Sequence, residues 1–150
     1  MEKVIVTTLL LLFIAIPNWA ADGMVSVRSS FNVKETADRL EKILQEKGMT
    51  PFNRIRHSAA AKKVGIDLRD TELIIFGNPK VGSLLMKCRQ SVALDLPQKA
   101  LVWQDDKDQV WLSYNDPGYL EKRHELAGCQ DVLSKIEKAL ADIAQSAASK

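Results

Sequence analysis

Lys99-Ala100-Leu101-Val102-Trp103-Gln104-Asp105-Asp106-Lys107-Asp108-Gln109-Val110-Trp111-Leu112-Ser113-Tyr114 reads as two short strands joined by a polar turn. Branched and aromatic residues suit a half-buried pleated surface, and the Asp-Asp-Lys-Asp tetrad between them suits a loop. A two- or four-residue loop centred on that tetrad pairs Gln104 with Gln109, Trp103 with Val110 and Leu101 with Leu112. Side chains alternate across a strand, so this register turns Leu101, Trp103, Val110, Leu112 and Tyr114 toward the core and Val102 and Trp111 away from it. A Trp on the open side of a single sheet calls for a partner. Val102 and Trp111 are therefore the expected face of a homodimer.

The sequence before the hairpin alternates strands with helix starts. Thr71 to Phe76 is a branched apolar run between Asp70 and Gly77, as in a central strand. Gly77-Asn78-Pro79 then turns the chain, and Pro79 opens a helix reaching about Cys88 with Leu84, Leu85 and Cys88 on its apolar side. Val92, Leu94 and Leu96 alternate with Ala93 and Asp95, which predicts a further strand that ends at Leu96-Pro97 and points Asp95 away from the core. Nearer the N-terminus, Met24 to Arg28 alternates as a first strand. Asn32 and Glu35 form a capping-box-like start to a helix whose Val33, Ala37, Leu40 and Leu44 stripe ends at Gly48. Met49 to His57 reads as a second strand, placed at an edge by Pro51, and Ser58 as the N-cap of a short helix closed by Gly65.

Beyond the hairpin, Asp116 caps a helix that begins at Pro117 and reaches His124 or Leu126. After Gly128 a final helix aligns Cys129, Val132, Leu133, Ile136, Leu140 and Ile143 on one stripe, with a tail fraying past about Ala144. These elements predict an α+β fold of two layers: a mostly antiparallel sheet of about five strands with helices packed on one face.

Residues 1–21 read as an address. Glu2-Lys3 precede an apolar run from Val4 to Ile16 and a Pro17-Asn18-Trp19-Ala20-Ala21 break, the pattern of a secretory signal cut after Ala20 or Ala21. The apolar run spans about 20 Å, short of the roughly 30 Å needed to cross a bilayer. The expected mature product is a single domain, 22–150, exported to the periplasm and free of the membrane after cleavage. The formal net charge is +2, with both signs scattered along the chain, unlike the clustered Lys and Arg of a nucleic-acid binder. Cys88 and Cys129 are the two cysteines. In an oxidising compartment such a pair forms a disulfide, the alternative being two small buried hydrophobes.

His57, His124, Cys88, Cys129 and Met86 show no recognised ligand spacing, so neither a metal nor a cofactor is predicted. Met86 and Cys88 are one close soft pair, which supports an alternative reading as an envelope copper or redox accessory protein. Acid–base chemistry needs His57, Asp95, Asp116 or His124 brought together. The enzyme alternative is accordingly a hydrolase- or lyase-like activity using His57 or His124 with Asp95. Ser83 and Ser113 lack a nucleophile-elbow context. Gly77 and Gly82 around Asn78-Pro79-Lys80 suit an anion cradle at a helix start.

Phe76-Gly77-Asn78-Pro79-Lys80-Val81-Gly82, followed by Asp95-Leu96-Pro97, Leu101-Val102-Trp103-Gln104-Asp105 and Tyr114-Asn115-Asp116-Pro117, closely resembles the domain of unknown function 302 family over about Val25 to Ile143. The resemblance implies a compact α+β domain that dimerises through its sheet, and it brings no agreed reaction, substrate or cofactor. The family's recurrent motif positions map onto Gly77, Asn78, Pro79, Asp95, Tyr114, Asp116 and Pro117. The function expected from these readings is a non-catalytic, dimeric envelope module for a small or anionic ligand or a partner. Its lining candidates are His57, Asn78, Lys80, Asp95, Tyr114, Asp116 and His124.

Overall fold

A computed structural model of the chain describes residues 23–150; the leader expected at 1–21 and its cleavage point lie outside them. In order, the elements are β1 (Met24–Arg28), α1 (Val33–Glu46), β2 (Thr50–Arg56), α2 (His57–Lys63), β3 (Thr71–Gly77), α3 (Pro79–Cys88), a 3-10 turn (Gln90–Leu94), β4 (Gln98–Gln104), β5 (Val110–Asn115), α4 (Pro117–His124) and α5 (Gln130–Ala148). The strands form a single five-stranded sheet ordered β1-β5-β4-β3-β2, and every neighbouring pair is antiparallel. This is the expected α+β architecture, and Pro51 does lie on an edge strand, where its missing N–H is harmless.

Helices α1 and α5 cover one face of the sheet. Val33, Ala37, Leu40 and Leu44 of α1 and Leu133, Ile136, Leu140 and Ile143 of α5 meet Ile74, Phe76, Ala100, Val102, Leu112 and Tyr114 in one core. Three helix starts carry a side-chain cap, and the sequence announced two of them, Asn32 and Asp116. Asn32, Asn78 and Asp116 accept from the backbone N–H groups of Glu35, Lys80 and Gly118, satisfying donors that a helix N-terminus leaves unpaired.

The hairpin departs from its expected register by one residue. Asp105 N–H donates to Gln109 O at 2.9 Å, so the loop is Asp106-Lys107-Asp108, odd in length. Asp108 has φ 59°, the left-handed residue that follows a type I turn in a three-residue hairpin loop. The Asp105 carboxylate stabilises this turn by accepting from the N–H groups of Lys107 and Gln109. Gln104 now faces Val110, Trp103 faces Trp111 and Val102 faces Leu112. A one-residue slip turns a strand over, and β4 is turned over accordingly. Val102 is completely buried under the helices and cannot belong to a dimer face. Trp103 joins Trp111 on the opposite side, so neither indole lies in the core.

Four smaller expectations are also corrected. Val92 to Leu96 forms a 3-10 turn and a cis Leu96–Pro97 link instead of a strand; only Val92 is buried there, and Leu94 is 73% exposed. Leu84 is exposed, leaving Leu85 to anchor α3. Ser58 does not cap α2; its hydroxyl accepts from Thr71 N–H at 3.3 Å. The tail does not fray at Ala144: α5 continues to Ala148, and Ala144, Ala147 and Ala148 are buried. The Arg39 guanidinium from α1 donates to the carbonyls of Ser146, Ala147 and Ser149, supplying donors to the carbonyls at that helix end.

On the helix side, at the sheet's β2 edge, Arg54 is surrounded by Glu72, Asp38 and Glu41. Burial works against its charge, but hydrogen bonds to those three carboxylates outweigh it and raise the guanidinium pKa. The other side of the sheet carries Ile55, Leu73, Ile75, Leu101, Trp103 and Trp111, all partly exposed.

Candidate functional site

The end of β3, the first turns of α3 and the N-terminal half of α5 surround a cavity of about 340 Å³, at the small end of the range for small-molecule sites. Met49, Phe52, Phe76, Val81, Leu85, Met86, Leu96, Ile136, Ala139 and Leu140 make it chiefly apolar. Local sequence explains its shape. A bulge between Pro51 and Asn53 leaves the Phe52 ring 51% exposed in the cavity wall. Gly77 leaves space beside it: a Cβ there would lie 3.4 Å from Phe52 Cε2 and 3.7 Å from Pro97 Cβ. Asn78 and Pro79 fix the start of α3. At its other end α3 is joined to α5 by the Cys88–Cys129 disulfide, with Cα atoms 6.4 Å apart.

Two polar groups give this apolar space direction. Gln98 lines it, is 8% exposed, and its Nε2 is the one buried side-chain nitrogen or oxygen among the described residues that finds no partner. Such a donor costs about 1–3 kcal/mol in lost hydration. Lys135, exposed on α5, is the single charged residue of the lining, and no carboxylate accompanies it.

The second cluster joins the 3-10 turn to α4. His124 Nε2 lies 2.6 Å from Asp95 Oδ2, and His124 Nδ1 lies 3.1 Å from Ser91 Oγ. A carboxylate accepts, so Nε2 donates to Asp95; in the neutral imidazole this leaves Nδ1 to accept from the Ser91 hydroxyl. Arg123 Nε sits 3.2 Å from the same Asp95 oxygen. The hydrogen bond to Tyr119, and then the Asp95 charge, raise the Arg123 pKa. His124 is buried and Ser91 exposed. Serine, imidazole and carboxylate in that order are the groups of a relay that withdraws a proton from the hydroxyl. None of the three lines the cavity.

The expected lining residues therefore separate. Asn78 lines the cavity; Asp95 and His124 bind each other outside it. Asp116 caps α4 and borders a second hollow shared with Gly23, Gly118, Tyr119, Lys122 and Arg123. Tyr114 is buried on the helix side, where burial and then the Asp116 and Glu137 charges raise its pKa. Lys80 is exposed on α3, and His57 is exposed at the start of α2, beyond edge strand β2. Cys88 is spent in the disulfide, which removes the thiolate from the Met86–Cys88 pair. Among the described residues, no group of three or more His, Cys, Asp or Glu side chains is placed to hold a metal ion. Gln98, Lys135 and Ser91 were not singled out in sequence. Gln98 shares the face of Val102, which the expected register turned outward, so its burial was hidden until the hairpin register was known.

The family model described as "Domain of unknown function DUF302" matches residues 25–143. The chain belongs to this family. A solved DUF302 structure, described as an uncharacterised conserved protein from Bacillus stearothermophilus, matches with a TM-score of 0.76 at 21% identity, covering 85% of this chain and 99% of that one; at that identity it shows the shared fold. Two curated relatives, each named fluoride-specific ion channel FluC 1, come from Brucella suis biovar 1 (strain 1330) and Brucella abortus biovar 1 (strain 9-941). Both are 45% identical over 113 residues, which cover 75% of this chain and 44% and 42% of theirs. This DUF302 chain thus spans less than half the length of those relatives. Among its described residues no helix is long and apolar enough to cross a membrane.

Proposed function

We propose that this DUF302 protein is a small-ligand-binding module of the bacterial envelope, exported by its N-terminal leader and working as a homodimer without catalysing a reaction. The observation that carries the reading is the unpartnered Gln98 Nε2 in the wall of a chiefly apolar cavity. Folded proteins pair their buried donors, and an acceptor on a bound molecule would complete this one after a small turn of the amide. The homodimer reading rests on the uncovered row of Ile55, Leu73, Ile75, Leu101, Trp103 and Trp111, an apolar surface of the kind partners bury. Binding is tested with the fluorescence anisotropy of 2-naphthol, a dye small enough for a cavity of about 340 Å³, on the folded protein. The signal should rise with saturation and fall away in Ala139→Phe, which fills the cavity, while the circular dichroism spectrum is kept. Equal signals from both proteins would place the dye elsewhere and overturn the reading.

A second reading is favoured by the Ser91 contact. In an ester-hydrolysing mechanism, Ser91 Oγ would attack the carbonyl, its proton would pass to His124 Nδ1, and the leaving alkoxide would depart with that proton. Water activated by the same imidazole would then release the acyl group. A fluorophosphonate probe should in that case add to Ser91 in the wild-type chain and not in Ser91→Ala. Absence of the adduct after prolonged exposure excludes this reading.

A further inference from the structure

We infer that the cavity takes a single-chain anionic amphiphile, a carboxylate on an unbranched alkyl chain of about ten carbons; this rests on the cavity-binding reading above.

Three observations fix the class. The first is size: about 340 Å³ equals about eleven waters at roughly 30 Å³ each, room for about a dozen non-hydrogen atoms and too little for a two-chain lipid. The second is polarity. The walls are chiefly methionine, phenylalanine, leucine, isoleucine and alanine side chains, with the neutral polar groups of Asn78, Ser83 and Gln98 among them. Lys135 is the one charge, no Asp or Glu lines the space, and Gln98 Nε2 is an unpaired N–H that a turn of the amide brings to a ligand. A cationic head would meet a like charge and no carboxylate, whereas an anion would meet Lys135 and gain the Gln98 donor. The third is the position of the charge. Lys135 is exposed and has no ion-pair partner among the described residues. A head near Lys135 keeps part of its hydration while the chain lies in the apolar interior, the division an amphiphile needs.

The test is calorimetric titration of the folded chain with decanoate, decanol and decyltrimethylammonium. Decanoate should bind with the highest affinity. Lys135→Gln, which removes the charge of the lining and keeps its apolar side chains, should weaken decanoate by about three- to tenfold, as expected for one partly exposed charge contact, and change decanol far less. Equal binding of decanol and decanoate to the wild type, or an unaltered decanoate affinity in Lys135→Gln, overturns the anionic assignment while leaving cavity binding standing. Failure of both decanoate and decanol to bind, or full decanoate binding by Ala139→Phe, overturns the amphiphile and the cavity reading together.

Discussion

Replacing Gln98 with Met should make the ligand-free protein more stable, although the exchange removes a polar group from a natural strand. Gln98 is 8% exposed, and its Nε2 has no acceptor. Met has nearly the same length and shape and needs no hydrogen bond. The unpaired donor costs about 1–3 kcal/mol, and because the residue borders open space the recovered part should be about 1–2 kcal/mol. For a domain of this size that is a rise of about 4–10 °C in Tm. Thermal unfolding followed by circular dichroism, without added ligand, measures it. The same variant should gain less than the wild type from added decanoate, since one donor to the ligand has gone; binding to the folded state alone is worth about 2.7 kcal/mol at a hundredfold excess over Kd. A Gln98→Met protein less stable than the wild type would refute the reasoning, because it would mean that the amide is already satisfied in the folded state.

Three further outcomes follow from the fold. Replacing both cysteines with alanine frees a loop of 41 residues and should cost about 4 kcal/mol by the loop-closure relation, read as a lowered urea midpoint under oxidising conditions; an unchanged midpoint would deny the crosslink a stabilising role. The Asp105 carboxyl is held below the ordinary carboxylate range chiefly by the Trp111 indole N–H, 2.8 Å away, with Gln109 and Lys107 N–H groups adding to it. A depressed carboxyl contributes stability that is complete above its unfolded pKa of about 3.9 and is lost as pH falls through the folded value. Trp111 fluorescence in a Trp19→Phe, Trp103→Phe protein should therefore stay level from neutral pH down to about pH 4 and change below it, with the change abolished by adding Asp105→Asn. Leu101→Glu, on the uncovered sheet face, should convert a micromolar dimer to a monomer in sedimentation velocity; a wild-type protein already monomeric would remove the dimer.

Much of this architecture was legible from caps and stripes. Asn32, Pro79 and Asp116 announced helices α1, α3 and α4, and the Val33-Ala37-Leu40-Leu44 spacing identified the buried side of α1, because local backbone preferences and a long apolar period both favour the same structure. The hairpin was harder. Its two strands were plain, but their relative facing depends on whether the loop count is odd or even, and that was decided by Asp108 entering the left-handed region with the Asp105 carboxylate holding the turn. Glycine would have signalled the geometry; aspartate, which also tolerates it, did not. Val92 to Leu96 misled because an alternation carried by only five residues is a weak strand signal, and the 3-10 turn, with three residues per turn, buries Val92 and leaves Leu94 exposed. The cavity was illegible for a different reason: its walls come from segments far apart in the chain. Gln98 acquires meaning as an orphaned donor only when α3 and α5 have been placed around it. Ser91 likewise meets His124 across 33 positions.

The fastening of α5 bears on how a molecule gets in. Cys129 binds its first turn to the end of α3, while Arg39 and the Ser30 N–H hold its last carbonyls. A helix secured at both extremities makes a poor door. The wall that can give is the bulged edge of the sheet, where Phe52 is 51% exposed and its ring turns about side-chain bonds alone. Shrinking that ring to alanine should therefore widen the mouth and quicken arrival and departure alike.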